Sequence, residues 1–132
     1  MQVKRRRLSL KERHTVYDKM NGHCAYCGCD LKFKDMQVDH VVPLSGWSVK
    51  GTDTLDNMLP ACRSCNHYKG TYSLEHFRHA VEAMPFVLER DCVTYRNAVR
   101  FGLVKPDPHP VAFYFERMAS SKLLEGGTDN DR

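Results

Sequence analysis

The sequence predicts an α+β fold in which a small core is extended by helices at both ends. Three observations lead to this prediction. Two Cys-x-x-Cys pairs enclose 34 residues, the apolar run 36–42 has the length and composition of a strand, and apolar residues recur at helical spacing after residue 73. A chain of 132 residues is long enough for one domain with a modest core.

The first helix is predicted over residues 10–20. Ser9 and Glu12 have the spacing of a capping box, in which a serine hydroxyl and a glutamate carboxylate bind amides that the first helical turn leaves unpaired. Asn21-Gly22 follows as a good stop signal.

The segment between the cysteine pairs combines strand and loop. Residues 31–42 are predicted to form a hairpin or irregular strands, with 36–42 as the best strand. Pro43 ends this strand because proline cannot continue the hydrogen-bond ladder inside a sheet. Residues 44–60 are polar and turn-rich, which predicts mostly loop. Trp47 in this loop is interpreted as a cover for the core, with nucleic-acid contact as the alternative.

The second half of the chain is predicted to be mainly helical. Ser73 can cap a helix with apolar residues at helical spacing. Pro85 interrupts that helix and opens a further one to about Phe101. Residues 111–118 fit either a strand or a helix.

No domain boundary is convincing, so residues 1–125 are interpreted as one domain. Its three parts are a basic arm (1–8), a core with its leading helix (9–72) and a helical extension (73–119). The tail at 126–132 is predicted to be disordered because it is polar and rich in glycine.

The positive charge of the chain is concentrated at its N-terminus. The whole chain has a formal charge of +4, of which residues 1–20 contribute +5 and the other 112 residues −1. This distribution is typical of an arm that touches phosphates, although a solvated leader or an import-like cluster has the same composition. The arm residues predicted to contact nucleic acid are Lys4, Arg5, Arg6 and Arg7.

The cysteine spacing predicts a structural zinc site at Cys24, Cys27, Cys62 and Cys65. Zinc prefers four soft ligands in a tetrahedron, and each Cys-x-x-Cys turn offers two thiolates. A redox dithiol pair or free buried cysteines are the alternatives. Cys29 could replace Cys27, but the Cys-x-Cys spacing is less usual.

Sequence features also bear on where the protein works. No run approaches the ~18 apolar residues that a membrane span needs. The N-terminus has charge without the apolar region of a secretory signal. We therefore expect an intracellular, cytoplasmic protein whose paired cysteines bind metal instead of forming disulfides.

Four short motifs together resemble the HNH endonucleases, which are built on the ββα-metal (His-Me finger) fold. The motifs are "CAYCG", "VDHVVP", "LDNMLPAC" and "CRSCNHYKG", within residues 24–70 and in the order of the family. The resemblance implies a metal-dependent endonuclease that hydrolyses DNA phosphodiester bonds.

The resemblance also implies a role for each matching residue. His40 is the first letter of the motif and the general base that activates water. Asn57 is the second and orders the loop that orients the histidine. Asn66 stands where the family often has histidine, so the chain is an H-N-N variant, and the adjacent His67 is the alternative third letter. Asp39 and Asn66 are then the protein ligands of one catalytic divalent metal. Lys69 fits the "CN-x-x-K" pattern of the family and is expected to contact phosphate.

The chemistry expected of such a site agrees with its residue types. Imidazole suits proton abstraction near neutral pH, and a hard cation suits the neutralisation of phosphate charge. One carboxylate and one amide oxygen favour magnesium or manganese over zinc or nickel. The expected partner is double-stranded DNA and not a membrane, and a homodimer is left open. The rival hypotheses are a zinc-ribbon module that binds nucleic acid without catalysis, and a degenerate nuclease fold that acts through protein interaction.

Overall fold

In the computed structural model, residues 6–121 are described. They form two compact units: residues 6–74 together with 112–121 make the first, and residues 75–111 make the second. The predicted tail at 126–132 and the arm residues Lys4 and Arg5 lie outside the described residues.

Helix α1 spans Leu10–Asp18 in the first unit and begins with the predicted capping box. The Ser9 hydroxyl accepts a hydrogen bond from the Glu12 amide at 3.1 Å, and the Glu12 carboxylate accepts one from the Ser9 amide at 3.0 Å. Two amides of the first turn are thereby satisfied. Val16 lies on the inner face of this helix and is fully buried.

The sheet of the first unit has two antiparallel strands, β1 (Gln37–His40) and β2 (Met58–Ala61). In their register His40 pairs with Met58 and Asp39 with Leu59. β1 lies within the predicted strand. β2 falls partly in the segment predicted to be loop and was missed, because its Pro60 argues against a strand except at a sheet edge, where a two-stranded sheet can accept it.

The core of the first unit joins α1 to both ends of the sheet. Val16, Leu31, Met36 and Met58 form one buried cluster, and partly buried side chains pack around it. Residues 31–36 do not form a hairpin with β1; Phe33–Asp35 is instead a short 3₁₀ turn. The strand that pairs with β1 is therefore β2, which follows the loop and directly precedes the second cysteine pair.

Helix α2 spans Arg63–Lys69 and follows β2 directly, which completes a strand–strand–helix core. A helix at residues 114–121, α6, lies in the same unit. The start of α6 packs on the first cysteine turn. There the amide of Tyr114 donates to the Tyr26 carbonyl, and the amide of Phe115 donates to the Ala25 carbonyl.

The second unit contains α4 (Met84–Asp91) and α5 (Val93–Arg100), and most of α3 (Leu74–Glu82). The prediction of one helix from Pro85 to Phe101 is wrong. Cys92 breaks it because its backbone is extended, with φ −122°, and its sulfur accepts a hydrogen bond from the Tyr95 amide as an N-cap.

Two further features concern the exterior of the molecule. Within residues 6–121, no helix is long and apolar enough to cross a membrane. Trp47 has a relative exposure of 103%, so its interpretation as a cover for the core is wrong.

Candidate active site

The two cysteine turns bring their four sulfur atoms together. The Sγ atoms of Cys24, Cys27, Cys62 and Cys65 all lie within 4.8 Å of one another, and those of Cys27 and Cys62 are 3.9 Å apart. A tetrahedral zinc with bonds of about 2.3 Å has ligand sulfurs about 3.8 Å from each other. The donors and their spacing therefore fit a zinc ion.

Two sulfur atoms of this cluster accept hydrogen bonds from backbone amides. The amide of Cys62 donates to Cys24 Sγ at 3.3 Å, and the amide of Cys65 donates to Cys62 Sγ at 3.4 Å. A hydrogen bond from the Cys65 thiol, followed by bonds from backbone amides, lowers the pKa of Cys24 to about 4 despite its burial. The thiolate form of Cys24 is thus favoured at neutral pH, whereas burial raises the pKa of Cys27 and the hydrogen bond to Cys24 raises the pKa of Cys65. Cys29 is exposed and is not one of the four clustered cysteines.

His40 lies at the end of β1, 6% exposed, and its two ring nitrogens have different surroundings. Nε2 is 2.8 Å from Oδ1 of Asp53. Nδ1 is buried and has no hydrogen-bond partner among the residues that the structure describes. A buried polar atom left without a partner costs about 1–3 kcal/mol, so such atoms are uncommon outside sites with a function.

Asp39 points away from His40, as expected of neighbours in a strand. Its Oδ2 accepts a hydrogen bond from the Tyr26 hydroxyl and lies 3.1 Å from Lys69 Nζ. Lys69 is fully buried, and its Nζ also donates to the His40 carbonyl at 3.0 Å. Burial and the adjacent carboxylate raise the pKa of Tyr26, which therefore stays a donor. As placed, the Lys69 ammonium faces Asp39 and not the surface, where phosphate contact was expected.

Asn57 ties together the two ends of the loop after β1. Its Nδ2 donates to the carbonyls of Val42 and Thr52 at 2.9 and 2.8 Å, and its Oδ1 accepts from the Val42 amide at 3.0 Å. The backbones approach so closely that a Cβ at Gly51 would lie 1.7 Å from the Val42 carbonyl oxygen. The loop that carries Asp53 is therefore closed over the end of β1.

A groove of about 520 Å³ opens beside His40. Asn66 lines it, as does Asp53, and its positive wall is made of Arg6, Arg7 and Arg13. His67 is exposed on α2 and is not among the described residues that line the groove. Of the two candidates for the third letter of the motif, Asn66 shares the groove with His40.

Arg6 and Asp53 connect the arm to the histidine. The Arg6 amide donates to Asp53 Oδ2 at 2.8 Å, and Arg6 Nε donates to the Asp53 carbonyl at 3.2 Å. The Arg6 side chain also pairs with Glu12 at 2.7 Å. The Arg6 amide, followed by the His40 ring, lowers the pKa of Asp53, so its carboxyl is ionised at neutral pH.

Sequence reasoning missed three residues near His40 and Asp39. Asp53 stands in a polar loop, where an aspartate is ordinary, and Tyr26 is an unmarked residue of the first cysteine turn. Arg13 was counted only in the charge of residues 1–20. No local pattern distinguishes them, because each reaches the site through contacts between distant parts of the chain.

Asp39, one of the two donors expected for a catalytic metal, already has partners in this structure. Asp39 is already neutralised by Lys69 and bonded by Tyr26. Asp39 is not among the described residues that line the groove, whereas Asn66 is. A divalent ion at Asp39 would have to displace the Lys69 ammonium, since two cations beside one buried carboxylate repel each other.

The chain is similar to a protein-family model and to parts of two larger proteins. Residues 24–71 match the family model described as HNH endonuclease. A protein of Corynebacterium diphtheriae described as CRISPR-associated endonuclease Cas9 is 36% identical over 58 residues, which are 44% of this chain and 5% of that protein. The crystal structure of the Type II-C Cas9 enzyme from Actinomyces naeslundii matches 59% of this chain and 9% of that chain, with a TM-score of 0.48 and 22% identity.

Residues 24–71 thus match the HNH endonuclease family model, which confirms the resemblance inferred from the four motifs. The predicted α+β class with a ββα-metal core is confirmed as well, since β1, β2 and α2 follow one another around the four-cysteine cluster. The chain spans a small part of the length of both Cas9 proteins.

Proposed function

We propose that this protein is a metal-dependent endonuclease that hydrolyses DNA phosphodiester bonds, with His40 as the general base. One observation carries the proposal: the buried His40 ring has Nε2 bound to a carboxylate and Nδ1 without a partner among residues 6–121, beside a groove lined by arginines. An imidazole held in this way can accept a proton from water. The arginines supply the charge that a phosphodiester backbone requires.

The residues around His40 would divide the remaining tasks. Asn57 holds the loop after β1 closed, and Asn66 shares the groove with the histidine. Arg6, Arg7 and Arg13 would bind phosphates without reading bases, since phosphate contacts carry no sequence information. Lys4 and Arg5 stay predicted contacts of the same arm.

Two metals belong to the proposal. Zinc would bind the four clustered cysteines and hold the two cysteine turns together. Magnesium or manganese would take Asp39 and Asn66 as protein ligands once Lys69 leaves Asp39. When bound, it would neutralise charge on the phosphate and on the leaving oxygen.

A nucleic-acid substrate is supported by the relative named as an endonuclease and by the charge of the groove, and DNA is the proposed nucleic acid. Double-stranded DNA is the proposed form. A two-fold dimer could cut both strands, whereas one chain with one site is expected to nick. A cytoplasmic location and a single domain over residues 1–125 remain parts of this proposal.

The test uses supercoiled plasmid with Mg²⁺ or Mn²⁺, comparing the wild type with His40→Ala and His67→Ala. We expect His40→Ala to lose about 10²–10⁴-fold in rate. His67→Ala should cleave like the wild type, because His67 lies outside the groove. Equal cleavage by the wild type and His40→Ala would remove His40 from the mechanism.

The plasmid-cleavage assay, combined with a gel-shift assay of DNA binding, separates the rival hypotheses. A zinc-ribbon module would bind DNA in a gel-shift assay but would not cleave it, whichever metal is added. A degenerate nuclease fold would neither cleave nor bind the plasmid.

A further inference from the structure

We propose that Asp53 is a positioning residue for His40: it binds the Nε2–H of the ring and thereby leaves Nδ1 as the atom that takes the proton from water. This inference rests on the proposed function and assigns a role to a residue outside the HNH letters. It is carried by the geometry of the Asp53–His40 pair and by the surroundings of the two ring nitrogens.

The first step concerns the direction of the hydrogen bond. Asp53 Oδ1 is 2.8 Å from His40 Nε2. The Arg6 amide and the His40 ring stabilise the charged form of Asp53, and an ionised carboxylate can only accept. The proton between the two groups therefore sits on Nε2. In the neutral ring, Nδ1 must then carry the lone pair.

The second step concerns Nδ1 itself. This atom is buried and has no partner among the described residues, in a side chain that is 6% exposed. A donor beside Nδ1 would occupy the lone pair and prevent proton abstraction. The tautomer that Asp53 selects therefore leaves the lone pair on Nδ1, which water reaches once the side chains covering this buried atom move aside.

The third step concerns what fixes Asp53. Its second oxygen, Oδ2, accepts from the Arg6 amide at 2.8 Å, so each carboxylate oxygen has a different partner. Arg6 Nε also donates to the Asp53 carbonyl at 3.2 Å. A carboxylate held at both oxygens cannot rotate without losing one of these bonds. The orientation of the histidine is therefore set by contacts with Arg6, in the segment that precedes α1.

A salt bridge that merely stabilises the loop would have the same distance, so the test needs a readout that a structural role would not change. Asp53→Asn preserves the shape of the side chain but gives it a donor, which can reverse the hydrogen bond and move the ring proton to Nδ1. The matched control is Asp56→Asn, an exposed aspartate in the same loop whose carboxylate accepts from the Thr54 hydroxyl.

Two measurements are made on the full chain loaded with zinc. Nitrogen-15 NMR of the His40 ring, above the pH at which the ring is protonated, reports which nitrogen carries the proton. Plasmid cleavage with Mn²⁺ gives kcat and KM. We expect the Nε2–H tautomer in the wild type and in Asp56→Asn. In Asp53→Asn we expect the Nδ1–H tautomer and a kcat about 100-fold lower with KM nearly unchanged.

The proposal is overturned by an Nδ1–H tautomer in the wild type, or by a folded Asp53→Asn variant with wild-type kcat. If Asp53→Asn does not fold, the wild-type spectrum alone decides, since Nε2–H supports the pairing and Nδ1–H overturns it. Failure of the wild type to cleave with any divalent metal would refute the nuclease function instead. The ring spectrum would still test the role of Asp53.

Discussion

Replacing Lys69 by methionine tests the buried charge pair behind the proposed metal site. The Lys69 side chain is fully buried, with Nζ 3.1 Å from Asp39 Oδ2 and 3.0 Å from the His40 carbonyl. Methionine has a similar length and keeps the apolar packing of the stem. The substitution therefore removes the charge and its donors without opening a large cavity.

The expected loss of unfolding free energy is about 3–5 kcal/mol, because removing one partner leaves an uncompensated buried charge. Among the described residues, the Tyr26 hydroxyl would then be the remaining hydrogen-bond partner of the Asp39 carboxylate. Adding Asp39→Asn to Lys69→Met should recover a good part of this loss, since both sides of the pair are then neutral.

The assay is urea unfolding followed by circular dichroism, with zinc at a constant concentration. Lys11→Met is the control, because Lys11 is exposed on α1, and a surface substitution usually changes stability by less than about 0.5 kcal/mol. A loss below about 1 kcal/mol for Lys69→Met, or no recovery in the double variant, would refute the reasoning.

The same variant tests Asp39 as a metal ligand. If a divalent ion takes the place of the ammonium, Mg²⁺ should stabilise Lys69→Met more than the wild type, by about 2.7 kcal/mol at 100 times the Kd. An equal effect of Mg²⁺ on both proteins would contradict Asp39 as a ligand.

Three further predictions concern the metal cluster, the loop and the arm. Cys62→Ser should lower the zinc affinity and the melting temperature, whereas Cys29→Ser should keep one zinc per chain. Atomic absorption and thermal melting measure the two effects. Equal zinc content in the two variants would contradict the assignment of the cluster. Gly51→Ala should abolish most plasmid cleavage, because its Cβ would overlap the Val42 carbonyl oxygen and force the loop open; unchanged cleavage would mean that loop closure is not needed. The pKa of Asp53 is lowered in the folded state, so its stabilising contribution is complete above the unfolded pKa of about 3.9 and is lost as the pH falls through the folded value. Acid unfolding curves of the wild type should therefore fall more steeply below about pH 4 than those of Asp53→Asn, and parallel curves would show that the pairing adds no stability.

Local signals predicted the elements that depend on neighbouring residues. The capping box of α1 joins residues three apart, and each cysteine turn joins residues three apart, so both were readable from spacing. The strand with Asp39 and His40 was predicted for the same reason, since its apolar run and the closing proline are contiguous. Recognition of the HNH segment followed from four such short motifs in order.

Long-range pairing was not predictable in this way. β2 was missed because its identity as a strand depends on β1, not on its own composition, which includes Pro60. The helix break at Cys92 depends on a sulfur cap that cysteine seldom provides, so helical spacing alone predicted one continuous helix.

The sequence by itself determined the chemistry that is available: thiols in pairs for a metal, an imidazole beside a carboxylate, and arginines at the start of the chain. Only the tertiary structure decided which groups meet. In the folded chain His40 is hydrogen-bonded to Asp53, 13 residues away, and Asp39 is paired with Lys69, 30 residues away. The physical reason is that spacing specifies contacts within a turn or a strand, whereas burial of the shared core selects the distant partners of each charge.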